Sequence, residues 1–330
     1  VSDLTHSLSL EAWSTLSARD QEAAARVLSD ALLGADRPLE FRGLRTLTPF
    51  LHDAGVEPEA RTIATFFDTQ HQLDWVLVPG GRVRAWGDRE RRLLRTALAA
   101  MESFREERGE VLELGSIRPY DAPTFKFDSM FRSAAPVAPF LTTAMPLTSA
   151  VRLSGLGPGR SRLLPLTDGE ASVFSVHDDE LPQILEPRGW RLPSARESEW
   201  MCGAGGSLFP WGDEIPRWMS GVEGGAFDEE DFEEDDDGAG EGSFEEHFRM
   251  SYESGAADWS SANGFGLIDA LVTSHWVLDG GLAWHGGAGE CYPWQACGEW
   301  AGFITAAIVP EPTKPKAWSS HALRPVISLP

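Results

Sequence analysis

Arg191-Leu192-Pro193-Ser194-Ala195-Arg196-Glu197-Ser198-Glu199-Trp200 reads as a turn feeding a helix. Pro193 restricts Leu192 to extended backbone, Ser194 is placed to cap the helix, and Glu197 completes a Ser-x-x-Glu capping box. Two blocks follow it along the chain, Phe209-Pro210-Trp211-Gly212-Asp213 and Asn263-Gly264-Phe265-Gly266-Leu267-Ile268-Asp269. Both set glycine beside residues that tolerate turn geometry, which is the chemistry of irregular loops anchored by side chains.

These three blocks, in this order, resemble the formylglycine-generating enzyme (sulfatase-modifying factor) family. The resemblance implies an α+β fold of the formylglycine-generating, C-type lectin-like kind: a small twisted antiparallel sheet, two helices and long loops, with little regular secondary structure. Composition agrees with a loop-rich fold. Thirteen Trp against three Tyr, with 33 Gly and 22 Pro, suit irregular segments held together by wide apolar faces.

At 330 residues and 42% hydrophobic content, the chain can bury a substantial core in one large domain or two modest ones. Acids outnumber bases 51 to 28, for a formal charge of −23. That balance argues against nucleic acid and anionic membrane surfaces as partners, since phosphate binding needs clustered Lys and Arg. Nine of the ten residues from Asp228 to Asp237 are carboxylates. The surrounding segment, 226–246, is expected to be a solvated acidic loop; the alternative, a calcium or cationic-partner site, lacks the spaced ligands and fixed glycine of a calcium-binding loop. No apolar run is long enough to span a bilayer, and no basic-then-apolar leader opens the sequence, so a cytoplasmic protein is expected. Three cysteines, Cys202, Cys291 and Cys297, fit that compartment better than a disulfide framework would.

Leu10, Trp13, Leu16, Ala23, Val27, Leu28, Ala31 and Leu32 predict a helix over 9–33, restarting between Ser17 and Asp20 and ending near Gly34. Leu93, Leu94, Leu98, Met101 and Phe104 predict another over about 88–106. Trp75-Val76-Leu77-Val78 is a short strand stopped by Pro79-Gly80. By the resemblance, it opens the family domain, which would cover 73–330 with a helical insertion at about 85–125. Residues 1–72 would be an N-terminal helical extension. Phe140-Leu141 would be part of the next family strand, and His321 to Val326 resembles the family's terminal strand, expected near 323–328, with Arg324 as a structural anchor.

The block from His285 through Gly286-Gly287 to Cys291 and Cys297 is the strongest candidate for chemistry. In active formylglycine-generating enzymes a Gly-Gly-containing segment leads into two cysteines, four residues apart in the interval, that bind copper(I) and activate dioxygen. Here five residues intervene. Two thiolates are soft ligands suited to copper(I), and the residues alone leave three readings open: a metal or redox pair, a disulfide, or two small buried side chains. Cys202 reads as buried packing. His275 and His285 could approach the cysteine pair as borderline ligands, or could be hydrogen-bonded structural residues beside Trp276 and Trp284. By the resemblance, Asn263 and Asp269 could belong to the family's first structural calcium site through hard oxygen ligation, while the block that helps to hold its second is replaced by Val272-Thr273-Ser274-His275-Trp276-Val277. The three-histidine iron motif of the related sulfoxide synthases does not occur.

Two functions follow from the resemblance and the departures from it. One is a metal-dependent oxidase or oxygenase, using copper or iron on a peptide or thiol-containing substrate. The other is a non-catalytic module that presents a surface to a peptide, protein or small-molecule ligand.

Overall fold

Ser9 caps a helix near the start of the described residues, accepting from the Ala12 amide, and Ser17 receives the Asp20 amide at the start of the helix after it. These two helices, labelled α1 (Leu10–Thr15) and α2 (Ala18–Leu33), put the expected restart between Thr15 and Ala18. The structure, a computed structural model, describes residues 7–33, 37–48, 60–71, 73–89, 92, 133–147, 152–154, 162–164, 176–178, 181–203, 263–267, 275–286, 308–310 and 320–329. Most of the expected helical insertion and the whole acidic segment lie outside the described residues.

The strands that follow are β1 (Leu39–Leu47), β2 (Arg61–Asp68), β3 (Leu73–Val78), β4 (Gly81–Val83), β5 (Ala135–Val137), β6 (Phe140–Thr143), β7 (Arg152–Ser154), β8 (Arg162–Leu164) and β9 (Val176–His177). Two short helices come next, α3 (Leu181–Leu185), continued by a 3₁₀ turn over Glu186–Arg188, and α4 (Ala195–Cys202). The chain closes with β10 (His275–Leu278), β11 (Leu282–His285), β12 (Ile308–Pro310), β13 (Ser320–His321) and β14 (Val326–Ser328). The fold is mixed α+β, and every strand ladder among the described residues is antiparallel.

The main sheet runs β1-β2-β3-β6-β14. The strand expected at Trp75–Val78 and the one expected near the end of the chain therefore flank the same partner, β6. Residues 1–72 differ from the helical extension expected for them, because beyond Leu33 they supply β1 and β2 to this same sheet. The physical reason lies in Thr62-Ile63-Ala64-Thr65-Phe66-Phe67, a β-branched and aromatic run that fits a pleated surface covered on both faces. In β1 a bulge at Phe41–Gly43, where Gly43 takes φ 147°, interrupts the alternation that would have marked it as a strand.

The register sorts the core. Phe66 faces Trp75 and Leu77 faces Leu141, which in turn faces Ile327. This face packs with Leu28 and Leu32 of α2 and with Trp190. Val27, placed on the apolar stripe by spacing, is instead exposed. Ser29 ties helix to sheet, its hydroxyl donating to the Leu39 carbonyl and accepting from the Phe41 amide. On the opposite face Ile63 and Val76 meet the 263–267 loop: a Cβ at Gly266 would sit 2.2 Å from Ile63 Cδ1, and the residue's φ of +77° also favours glycine. Arg324, fully buried, donates from Nη1 to the Thr143 and Ala144 carbonyls, the backbone version of the anchor role expected for it.

Candidate metal centre

The capping box read from the sequence is present. Ser194 Oγ accepts from the Glu197 amide, and the Glu197 carboxylate accepts from the Ser194 amide at 2.8 Å. Arg191 adds a two-pronged contact to the same carboxylate. Burial alone pushes the Glu197 carboxyl up, but the hydrogen bonds from Arg191 and Ser194 together outweigh it and leave the group below its ordinary value. The start of α4 is thereby pinned, and Leu278 of β10 donates its amide to the Pro193 carbonyl just before it.

With its start fixed, α4 turns Ala195, Ser198 and Cys202 toward one side, at the spacing of a helix stripe. Against that side lies the β10–β11 hairpin, whose turn runs through Asp279-Gly280-Gly281. Its ladder pairs Leu278 with Leu282, Val277 with Ala283 and His275 with His285. Ala195 packs on Val277 and Ala283. The two histidines are cross-strand partners and meet Ser198: its Oγ lies 2.9 Å from His275 Nε2 and 2.6 Å from His285 Nδ1. The imidazole centroids are 5.5 Å apart.

Cys202 completes the group. One ligand atom from each of Cys202, His275 and His285 falls within 4.8 Å of the others, a cluster that could hold a metal ion. All three side chains are buried, as is Ser198, with relative exposures of 0 to 1%. A thiolate with two imidazoles is a borderline-soft donor set suited to zinc, copper or iron.

The other sides of α4 hold it still. Trp200 Nε1 donates to the Pro79 carbonyl at 2.8 Å, and the indole lies against Gly81 so closely that a Cβ there would stand 2.2 Å from Trp200 Cζ2. Glu199, 2% exposed, accepts from Trp86 Nε1 at 3.0 Å and pairs with Arg196. Asn263 brackets the end of the helix. Its Nδ2 donates to the Met201 and Cys202 carbonyls, and its Oδ1 accepts from the Phe265 and Leu267 amides.

Of the residues singled out in the sequence, His275 and His285 are brought together. Asn263, expected as a calcium ligand, has both side-chain polar atoms engaged with backbone. Its expected partner Asp269, and the pair Cys291 and Cys297, lie outside the described residues. Cys202 is buried as expected, yet it is also the thiol that faces the histidines. Two local signals pointed to it: the Ser194 cap sets Ser198 and Cys202 one turn apart on a single face, and the Gly280-Gly281 turn sits midway between His275 and His285 and so opposes them across a hairpin.

No protein-family model matches this chain, and comparison with curated proteins and with solved structures finds no match. The resemblance to formylglycine-generating enzymes therefore rests on the sequence blocks quoted above. Among the described residues, no helix is long and apolar enough to cross a membrane.

Proposed function

We propose that this chain is a divergent domain of the formylglycine-generating, C-type lectin-like type, in which one metal ion at Cys202, His275 and His285 staples α4 to the β10–β11 hairpin. On this reading the protein is a metal-stabilised module that presents its surface to a peptide, protein or small-molecule ligand. The observation that carries it is the burial of every donor in the cluster. A catalytic ion keeps a coordination position open to substrate, whereas a structural ion is enclosed by protein donors. The test is elemental analysis of the full chain purified under reducing conditions, alongside Cys202→Ser and Cys291→Ser. One ion per chain that is lost in Cys202→Ser and kept in Cys291→Ser supports the proposal; an ion lost only in Cys291→Ser contradicts it.

The oxidase or oxygenase reading has its own support. The chain leaves the centre at His285 and turns at Gly286, with φ 88°, into the Gly-Gly segment that leads to Cys291. A copper or iron ion at Cys291 and Cys297 would act there on a thiol or peptide. Dioxygen consumption dependent on a thiol substrate and abolished by Cys291→Ser would favour this second reading.

A further inference from the structure

Cys202, His275 and His285 supply three donors, and a closed site for a tetrahedral ion needs a fourth. We propose that Ser198 Oγ is that fourth ligand, making a four-donor zinc(II) site with two ligands from one turn of α4 and two from one cross-strand pair of the hairpin. The inference rests on the metal reading above and goes further by fixing the coordination number and the class of ion. Three observations carry it.

Ser198 Oγ is placed where a ligand would be, since it touches the ring nitrogens of both histidines, at 2.9 and 2.6 Å. Donors around a tetrahedral ion with bonds of about 2.0–2.3 Å stand roughly 3.3–3.8 Å apart. The oxygen and the two nitrogens need to open by about 1 Å or less to admit an ion. The ligand atoms of Cys202, His275 and His285 already lie within 4.8 Å of one another, so any closing movement is at most about 1.5 Å.

The second observation is the hydroxyl's own chemistry. One hydroxyl has one hydrogen, so it can donate to only one of the two imidazoles it touches, and the other contact requires a hydrogen on the ring nitrogen. An ion bonded to both nitrogens and the oxygen replaces that arrangement with three bonds of one kind. The third is enclosure: Ser198 is 0% exposed, and its own helix carries Cys202 one turn later toward the same point. A d¹⁰ ion without geometric preference of its own suits a site whose shape is set by a helix and a hairpin. A neutral hydroxyl is a weaker donor than a thiolate or an imidazole, so replacing it should alter affinity measurably in either direction.

The test uses cobalt(II) as a spectroscopic probe in the full chain under anaerobic, reducing conditions, with zinc(II) competition for affinity. Wild type should take up one cobalt(II) with a thiolate charge-transfer band that Cys202→Ser removes. Ser198→Cys should roughly double that band and tighten zinc binding about tenfold or more, and the doubled band is the deciding result, because Ser198→Ala should keep the single-thiolate band and weaken zinc binding whether Ser198 bonds the ion or only hydrogen-bonds its histidine ligands. Circular dichroism establishes that each variant is folded, and Ser198→Ala stands as the second test if the larger thiol is not accommodated. A wild-type chain that binds one ion through Cys202, with an unchanged band in a folded Ser198→Cys or zinc affinity unmoved in Ser198→Ala, overturns the fourth-ligand assignment alone. A wild-type chain that takes up no cobalt(II), or whose band survives Cys202→Ser, overturns the metal reading and this inference with it.

Discussion

Replacing Asn263 separates two roles that one residue could play. In the structure its amide spans the end of α4 and the 263–267 loop, donating to the Met201 and Cys202 carbonyls at 2.9 and 3.3 Å and accepting from the Phe265 and Leu267 amides at 2.9 and 3.1 Å. Asn263→Ala strands two buried N–H groups, each worth about 1–3 kcal/mol when left unmade. With partial relaxation of the loop, the expected loss is about 3 kcal/mol of unfolding free energy. Asn263→Asp is the sharper variant. Its carboxylate still accepts from both amides, yet it turns a negative oxygen toward two carbonyls at the negative end of a helix. At pH 7 it should destabilise by a similar amount, and lowering the pH should recover part of the loss as the carboxyl protonates. A calcium ligand would behave in the opposite way, because a carboxylate binds the ion better than an amide does. Urea unfolding followed by tryptophan fluorescence, with and without millimolar calcium, reads both variants. If Asn263→Asp matches or exceeds wild type, and most clearly if calcium raises it further, Asn263 does not act as a bracket between α4 and the 263–267 loop.

Three further outcomes follow from the packing around α4. Gly81→Ala places a methyl carbon 2.2 Å from an indole that is hydrogen-bonded in place, so it should cost about 1–3 kcal/mol in denaturant unfolding, and should weaken metal binding as α4 is displaced. Glu197 has a folded-state pKa below its ordinary 4.5, so its stabilising contribution is present above that value and is lost as pH falls through the lower folded value. The melting temperature of wild type should therefore fall more steeply than that of Glu197→Gln on acidification below about pH 5, with parallel curves counting against the contribution. Trp13→Phe removes the indole donor to the Thr62 carbonyl at 2.8 Å and leaves a buried gap, so thermal unfolding should report a loss of about 1–3 kcal/mol.

Local chemistry was readable from the sequence where short-range interactions decide the outcome. The Ser194–Glu197 box, the break at Leu16–Ser17 and the Trp75–Val78 strand each depend on neighbours within a few residues, and each is found. β1 was not readable, because Arg42 and Arg45 on its open positions and the bulge at Gly43 hide the two-residue period. The candidate centre was half readable. His275 and His285 are legible as borderline ligands, and the cysteines that follow them in sequence are Cys291 and Cys297, whereas Cys202 reaches them from a helix more than seventy residues earlier. A cysteine on a capped helix looks like packing until the helix phase and the hairpin register are known together. The Ser194 cap puts Ser198 on the same helix face as Cys202, but only the geometry places it between the two rings.

X-ray absorption at the metal edge of the metal-loaded chain, recorded on wild type and on the Cys291→Ser/Cys297→Ser double variant, tests the centre most directly. Both proteins should give the same spectrum, with one sulfur at about 2.3 Å and two imidazole nitrogens at about 2.0–2.1 Å. A first shell without sulfur, or a sulfur signal that disappears in the double variant and persists in Cys202→Ser, would place the metal elsewhere and contradict a centre built from Cys202, His275 and His285.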